Sequence, residues 1–324
     1  MPSLTDVVID AHCDTLQYVL QGRGSLGEGI PGAQVDIPKL QAGGVNVQVF
    51  ACWVPVYYQR HGATTYALRL IETFHRQTEM YADRFMPITH RADMTRAVQE
   101  GKVGGILSLE GAEPLDGVPE TLGVFYRLGV RWLGLTWNYR NAVADGVADE
   151  RSGGGLTPFG VDVVHMCGEL GIVVDVSHLA PAGVEDVLKV ARGPVVASHS
   201  NARALCDHRR NLTDDQARAI AATGGVIGVT FVPNFLTADP DQATLDHVLD
   251  HIEHFVNVVG VEHVGIGSDF DGLGEDTPPP RGLEDAGQYQ NLRVGLERRG
   301  FGPDDISAIM GGNWSRVLEA VLAP

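Results

Sequence analysis

Val7-Val8-Ile9-Asp10-Ala11-His12-Cys13-Asp14 is an apolar run that ends in a histidine and a carboxylate two residues apart. On an extended strand, side chains i and i+2 face the same way. His12 and Asp14 would then present one nitrogen and one oxygen ligand side by side, with Cys13 turned away. That is half of a divalent-metal site. Taken alone, the pair reads better as a strand-end hydrogen bond between the two side chains. Its meaning depends on whether the chain supplies further ligands in matching places.

It does so at four other points. Glu110 closes the apolar run 104–109, His178 follows 172–177, His199 follows 194–198, and Asp269 follows 263–268. The five residue groups therefore end strands one, three, five, six and eight of a series completed by runs at 45–53, 131–136 and 226–230. Any one of these residues is weak evidence. Five strands ending in His, Asp or Glu are hard to obtain by chance. The histidines His61, His75, His165, His208, His247, His251 and His254 fall on expected helices or loops and read as solvated or structural.

The strands are short and apolar with little polar alternation, the pattern of a parallel sheet buried on both faces. Amphipathic periodicity between them predicts helices over about 65–82, 119–128, 158–170, 181–190, 214–223 and 245–259, with two more closing the chain. The helix at 158 has Thr157 as N-cap, Pro158 in its first turn and Gly171 as its stop. A glycine-rich connection, 22–32, and a long polar loop, 137–155, are expected over the strand ends. Eight strand–helix units imply a closed (β/α)8 TIM barrel, whose strand ends surround a single mouth where barrel active sites lie. An open doubly wound sheet is disfavoured because no GxGxxG follows the first strand.

Six potential ligands exceed the needs of one tetrahedral zinc. They suit two metals about 3.5–4 Å apart that share a carboxylate and a hydroxide. Glu110 has two oxygens and can bridge. Two cations together make hydroxide available at neutral pH. Asp269 would take the water's proton and later pass it to a leaving group. No GxSxG elbow supports a serine mechanism.

With 324 residues, 44% of them hydrophobic, the chain is long enough for two domains but equally for one barrel, and a single catalytic domain over 1–324 with C-terminal helices is expected. A net charge of -17 argues against nucleic acid and anionic membranes as partners. The four cysteines have no CxxC spacing and read as reduced thiols. No signal-like segment, anchor tail or run of roughly 18–20 apolar residues is present, so the reading is a soluble cytoplasmic protein.

Several motifs together resemble the renal-type (membrane) dipeptidase family, peptidase family M19, of the amidohydrolase superfamily. They are Asp10-Ala11-His12-Cys13-Asp14, Ser108-Leu109-Glu110-Gly111, Asp175-Val176-Ser177-His178, Ala197-Ser198-His199-Ser200, His208-Arg209-Arg210-Asn211 and Gly267-Ser268-Asp269-Phe270-Asp271-Gly272. Gly155-Leu156-Thr157-Pro158-Phe159-Gly160 and Gly282-Leu283-Glu284-Asp285 extend the match over nearly the whole chain. The resemblance implies a zinc dipeptidase with a binuclear site. His12 and Asp14 would hold one metal, His178 and His199 the other, and Glu110 would bridge them. Asp269 matches the family's proton-transfer aspartate. Arg210 matches the arginine that clamps the substrate's C-terminal carboxylate, a task suited to a guanidinium fork; without the resemblance it would read as a surface salt bridge. Asp10 reads as a support for the ligands. Asp269 with Asp271 is too little of a calcium loop to count as one. The implied substrates are L-Xaa-L-Xaa or L-Xaa-D-Xaa dipeptides. Homodimers are common in the family, but the sequence carries no interface signature.

One position departs from the pattern. Where the renal-type enzymes have a histidine that polarises the scissile carbonyl, Leu135-Thr136 is followed by Trp137. An indole N–H donates a hydrogen bond but does not titrate. Either Trp137, Asn138 or Tyr139 supports the oxyanion, or the substrate sits differently, or Trp137 is an apolar lid. The rival readings are another metal-dependent amidohydrolase, such as a deacylase or lactonase, and a non-hydrolytic or binding protein that keeps the ligands.

Overall fold

The structure is a computed structural model that describes residues 7–273 and 277–324. Among the described residues nine strands pair in parallel: β1 (Ile9–Cys13), β2 (Val47–Trp53), β3 (Phe85–Pro87), β4 (Val103–Glu110), β5 (Val130–Gly134), β6 (Val173–Asp175), β7 (Val195–Val196), β8 (Ile227–Val229) and β9 (Val264–Ile266). Eight of them run in the order β7-β6-β5-β4-β2-β1-β9-β8. A parallel bridge between Ala197 and Ile227 joins β7 to β8, with Gly228 N–H donating to the Ala197 carbonyl at 2.8 Å. The expected (β/α)8 barrel is the observed one. β3 was not anticipated: its three residues, Phe-Met-Pro, pair with β4 outside the ring and carry too short a pattern to read.

Apolar side chains form two layers. Ile9, Val49, Ile106, Trp132, Val173 and Val196 pack in the barrel interior. Alternate residues such as Phe50, Leu107, Val174 and Val195 pack outward against helices that include Ala63–Met80, Pro158–Leu170 and Leu245–Val259. Long apolar side chains at helical spacing, Leu70 with Phe74 and Val248 with Ile252 and Phe255, form the helix side of this layer. Trp314, from the C-terminal helix Asn313–Val321, enters the interior, stands 5.4 Å from the Trp132 ring and donates to the Ile266 carbonyl at 3.0 Å. Gly265 makes room for it, because a methyl there would overlap the indole.

The pattern of β1 changes partway. Ile9 and Ala11 belong to the interior layer, Cys13 to the outer one, and the register against β2 shifts between Asp10 and Cys13. Such an irregularity re-aims side chains at a barrel rim. Here it turns Cys13 outward beside His12 and Asp14.

Three helical segments, Tyr289–Arg298, Pro303–Ser307 and Asn313–Val321, close the chain where two were expected. Helices Ile37–Gly43 and Arg91–Glu100 were also missed, although Asp36 is a clear N-cap whose side chain accepts from Lys39 N–H at 2.8 Å. The long loop contains the turn Val147–Ser152. No helix among the described residues is long and apolar enough to cross a membrane.

Candidate metal centre

The strand-end residues meet at one mouth. His12 Nε2 lies 3.5 Å from Asp14 Oδ2, 3.5 Å from Glu110 Oε2 and 3.7 Å from Asp269 Oδ1. The other oxygen of Glu110, Oε1, lies 3.0 Å from His178 Nε2 and 3.8 Å from His199 Nε2. The two histidine nitrogens are 2.8 Å apart. Two sets of side chains, His12 with Glu110 and His199, and His12 with Asp14 and Asp269, could each close on an ion.

Backbone geometry aims these groups. His178 and Asp269 have φ of 67° and 62°, the left-handed region, so the chain turns sharply just beyond the strands and brings both side chains over the mouth. Two buried aspartates hold the turns from below. Asp10 accepts from Ser268 N–H at 2.8 Å and from Ser268 Oγ at 2.7 Å, one residue before Asp269. Asp175 accepts from Ser198 N–H at 3.0 Å, one residue before His199, from Ser177 N–H at 2.9 Å, and from Trp132 Nε1 at 3.1 Å. Each histidine of the second pair is fixed through its other nitrogen: His178 Nδ1 meets Asn138 Oδ1 at 2.9 Å and His199 Nδ1 meets Ser198 Oγ at 2.7 Å. Such partners set ring orientation and tautomer. A Cβ on Gly272 would come within 3.0 Å of carboxylate oxygens of both Asp14 and Asp269, so glycine is required there.

The charges are out of balance without a cation. Burial pushes Asp14 up to about 6, with the Glu110 charge adding to the effect. Burial lifts Asp269 well above the carboxylate range against the pull of His12. Burial opposes ionisation of Glu110 too, but the imidazoles of His12 and His178 hold it well below its ordinary value. His178 is lowered to about 3 by burial and by Arg210, and burial also keeps His199 neutral. His12 Nε2 and Asp14 Oδ1 are buried with no hydrogen-bond partner. The neutral imidazoles of His178 and His199, the carboxylates crowded around His12, which against its burial draw a proton onto it, and the unpartnered Asp14 Oδ1 fit a divalent metal that would replace that proton.

The remaining candidates fall in different places. Arg210 is buried and has no carboxylate within ion-pair distance among the described residues, so the surface salt bridge is excluded. Its Nη2 donates to the His199 carbonyl at 3.1 Å, its Nε has no partner, and it lines a narrow crevice with His178 and Ser200. Trp137 and Asn138 line the cavity over the ligands, about 540 Å³ in volume. Tyr139 does not: it is exposed and lines a neighbouring cavity with Glu113 and Arg140. Asp271 accepts from Thr15 Oγ1 and Gln34 N–H, both at 2.6 Å, and ties the segment after the glycine-rich connection to the end of β1. The holding roles of Asp175 and Asn138 went unread in the sequence. A carboxylate inside an apolar strand, as in Ile172-Val173-Val174-Asp175, was the signal available.

Residues 4–323 match the family model of the membrane dipeptidases, peptidase family M19. An uncharacterized dipeptidase of Schizosaccharomyces pombe is 35% identical over 330 residues, which covers 96% of this chain and 80% of the relative. The dipeptidase aclJ of Aspergillus oryzae is 34% identical over 88% of this chain and 69% of its own. Among solved structures, a metallopeptidase from Rhodobacter sphaeroides, liganded with a phosphinate mimic of the dipeptide L-Ala-D-Ala, superposes with a TM-score of 0.89 at 28% identity, covering 97% of this chain and 99% of that one. A second, a dipeptidase of family M19, gives a TM-score of 0.91 at 29% identity, covering 99% of this chain and 100% of that one. Sequence and fold agree over essentially the whole barrel, and the chain belongs to peptidase family M19 as a metallo-dipeptidase.

Proposed function

We propose that the protein hydrolyses small dipeptides, L-Xaa-L-Xaa and L-Xaa-D-Xaa, with two zinc ions held at the barrel mouth. The observation that carries this reading is the division of Glu110: one carboxylate oxygen faces His12 and the other faces His178 and His199. His12 and Asp14 would hold one ion, His178 and His199 the other, with Glu110 shared. The chemistry such a pair supplies is Lewis acidity, which polarises a carbonyl and acidifies water.

The protein's own groups do the rest. Asp269 lies half-buried beside His12 and is kept hospitable to a proton by its surroundings. It takes the proton of the attacking water and returns it to the leaving amine. Arg210 is a buried guanidinium with an unpaired Nε and, among the described residues, no carboxylate within ion-pair distance, which supports its role as receiver of the substrate's free C-terminal carboxylate. Asn138 holds His178, and Trp137 stands where the family histidine would be, so the indole shapes the cavity rather than titrating. The mimic bound to the Rhodobacter relative supports a D residue in the C-terminal position.

The test is an L,L and L,D dipeptide library on zinc-loaded protein, with metal counted in parallel. Two zinc ions per chain and cleavage of dipeptides but not tetrapeptides are expected. Full metal loading with no turnover on any dipeptide refutes the reading. Ready cleavage of tetrapeptides removes the carboxylate role from Arg210.

A further inference from the structure

The cavity above the ligands is larger than a pair of alanines requires, and its extra space is walled unevenly. At about 540 Å³ it lies in the range of pockets that enclose ligands well beyond dipeptide size. On one side stand Trp53, at the end of β2, and Trp137, just beyond β5, with Pro55 and Val56. The two indoles form a tilted pair, ring centroids 5.4 Å apart at 58°, and Trp137 is 6.0 Å from the His178 ring.

Both tryptophans are anchored through their backbones. Gln17 Nε2 donates to the Trp53 carbonyl at 2.6 Å, and Tyr66 OH donates to Gln17 Oε1 at 2.7 Å. Gly146 packs so closely on the backbones of Trp137 and Asn138 that a methyl there would overlap both. An aromatic surface that is already ordered costs little entropy when a ligand stacks on it.

Arg210 approaches from the other side, lining the narrow crevice beyond His178 behind Phe235, which itself lines the cavity. It follows β7 and lies with its Cζ 5.5 Å from the Phe235 ring, beyond β8. In the ring order β7 and β2 stand four strands apart in a barrel of eight, which places them across the mouth. A dipeptide with its carboxylate at Arg210 and its scissile carbonyl over the ligands therefore extends its first residue toward Trp53, past Trp137, which stands two strands from β7 and against the Trp53 ring.

We propose that Trp53 and Trp137 form the pocket for the N-terminal side chain and select aromatic and large apolar residues there. This rests on Arg210 receiving the carboxylate. Offset and edge-to-face stacking on the indoles, together with apolar burial, gives such side chains their advantage over alanine.

The experiment compares kcat/KM for Phe-Ala, Leu-Ala, Ala-Phe and Ala-Ala on the zinc-loaded enzyme, its Trp53→Ala, Trp137→Ala and Trp53→Phe variants, with metal content measured on each. Phe-Ala should exceed Ala-Ala by about tenfold or more, chiefly through KM, and Ala-Phe should show no such gain. Either alanine variant should bring the Phe-Ala to Ala-Ala ratio close to one at unchanged metal content, and Trp53→Phe should keep most of it. A wild-type ratio at or below one, a gain confined to Ala-Phe, or a ratio indifferent to both alanine variants overturns the pocket while leaving dipeptide hydrolysis standing. Failure to cleave Ala-Ala or any other dipeptide at full metal loading overturns both.

Discussion

Asn138 Oδ1 stands 2.9 Å from Nδ1 of His178, and that bond leaves His178 Nε2 as the nitrogen directed at Glu110 and His199. Partners of this kind commonly account for 10–100-fold of metal affinity. Asn138→Ala should therefore weaken the metal that His178 would hold by about that factor, while a metal held by His12 and Asp14 stays bound. Competition with a chromophoric chelator reads this directly; two sites of unaltered affinity would show that the bond does not govern His178.

Asp269→Asn should retain both metals and lose about 10²–10⁴-fold in kcat, the usual reach of a positioned proton-transfer group. The asparagine keeps the shape and forfeits the proton. Turnover equal to wild type would take the role away from Asp269. His178→Ala is the contrasting variant, expected to lose one metal.

Asp175 accepts from two backbone N–H groups and an indole N–H, all buried. Asp175→Ala strands three donors, and a cost of about 3 kcal/mol or more follows from the usual penalty for unsatisfied buried groups. Urea denaturation measures it. A loss within about 0.5 kcal/mol, the range of ordinary surface changes, would mean that water replaces the carboxylate fully.

Burial pushes the Glu113 carboxyl from its ordinary 4.5 up to about 7. Below pH 4.5 folded and unfolded chains both hold the proton and stability is complete. As pH rises through 7 the folded form gives up a proton that the unfolded chain has already lost, and roughly 3 kcal/mol disappears over that interval. Glu113→Gln should flatten this slope and make the metal-stripped protein more stable than wild type at pH 8. Equal slopes in urea titrations of the two proteins would rule the group out.

Much of this molecule is legible from its strands. The ends at Glu110, His178, His199 and Asp269 could be placed because each closes an apolar run, and a barrel sends all such ends to one face. Short elements escaped: β3 and the helix Ile37–Gly43 span too few residues for periodicity to show. The irregularity in β1 escaped as well, because Asp10 and His12 look equivalent by alternation and only the register against β2 separates them. Roles created by contact across the barrel, such as Asn138 on His178 across 40 positions of sequence, leave no local trace. Arg210 was recognisable only by family resemblance, since nothing in His208-Arg209-Arg210 announces a buried guanidinium.

His178 and Asp269 both hold a backbone conformation that costs a residue with a side chain on the order of 1–3 kcal/mol relative to glycine. A lineage selected only for persistence in heat would drift to glycine at both places and gain by it. That these two positions carry an imidazole and a carboxylate instead marks where durability has yielded to reactivity. Engineering for a hardier enzyme must leave these two points alone and look for its gains elsewhere.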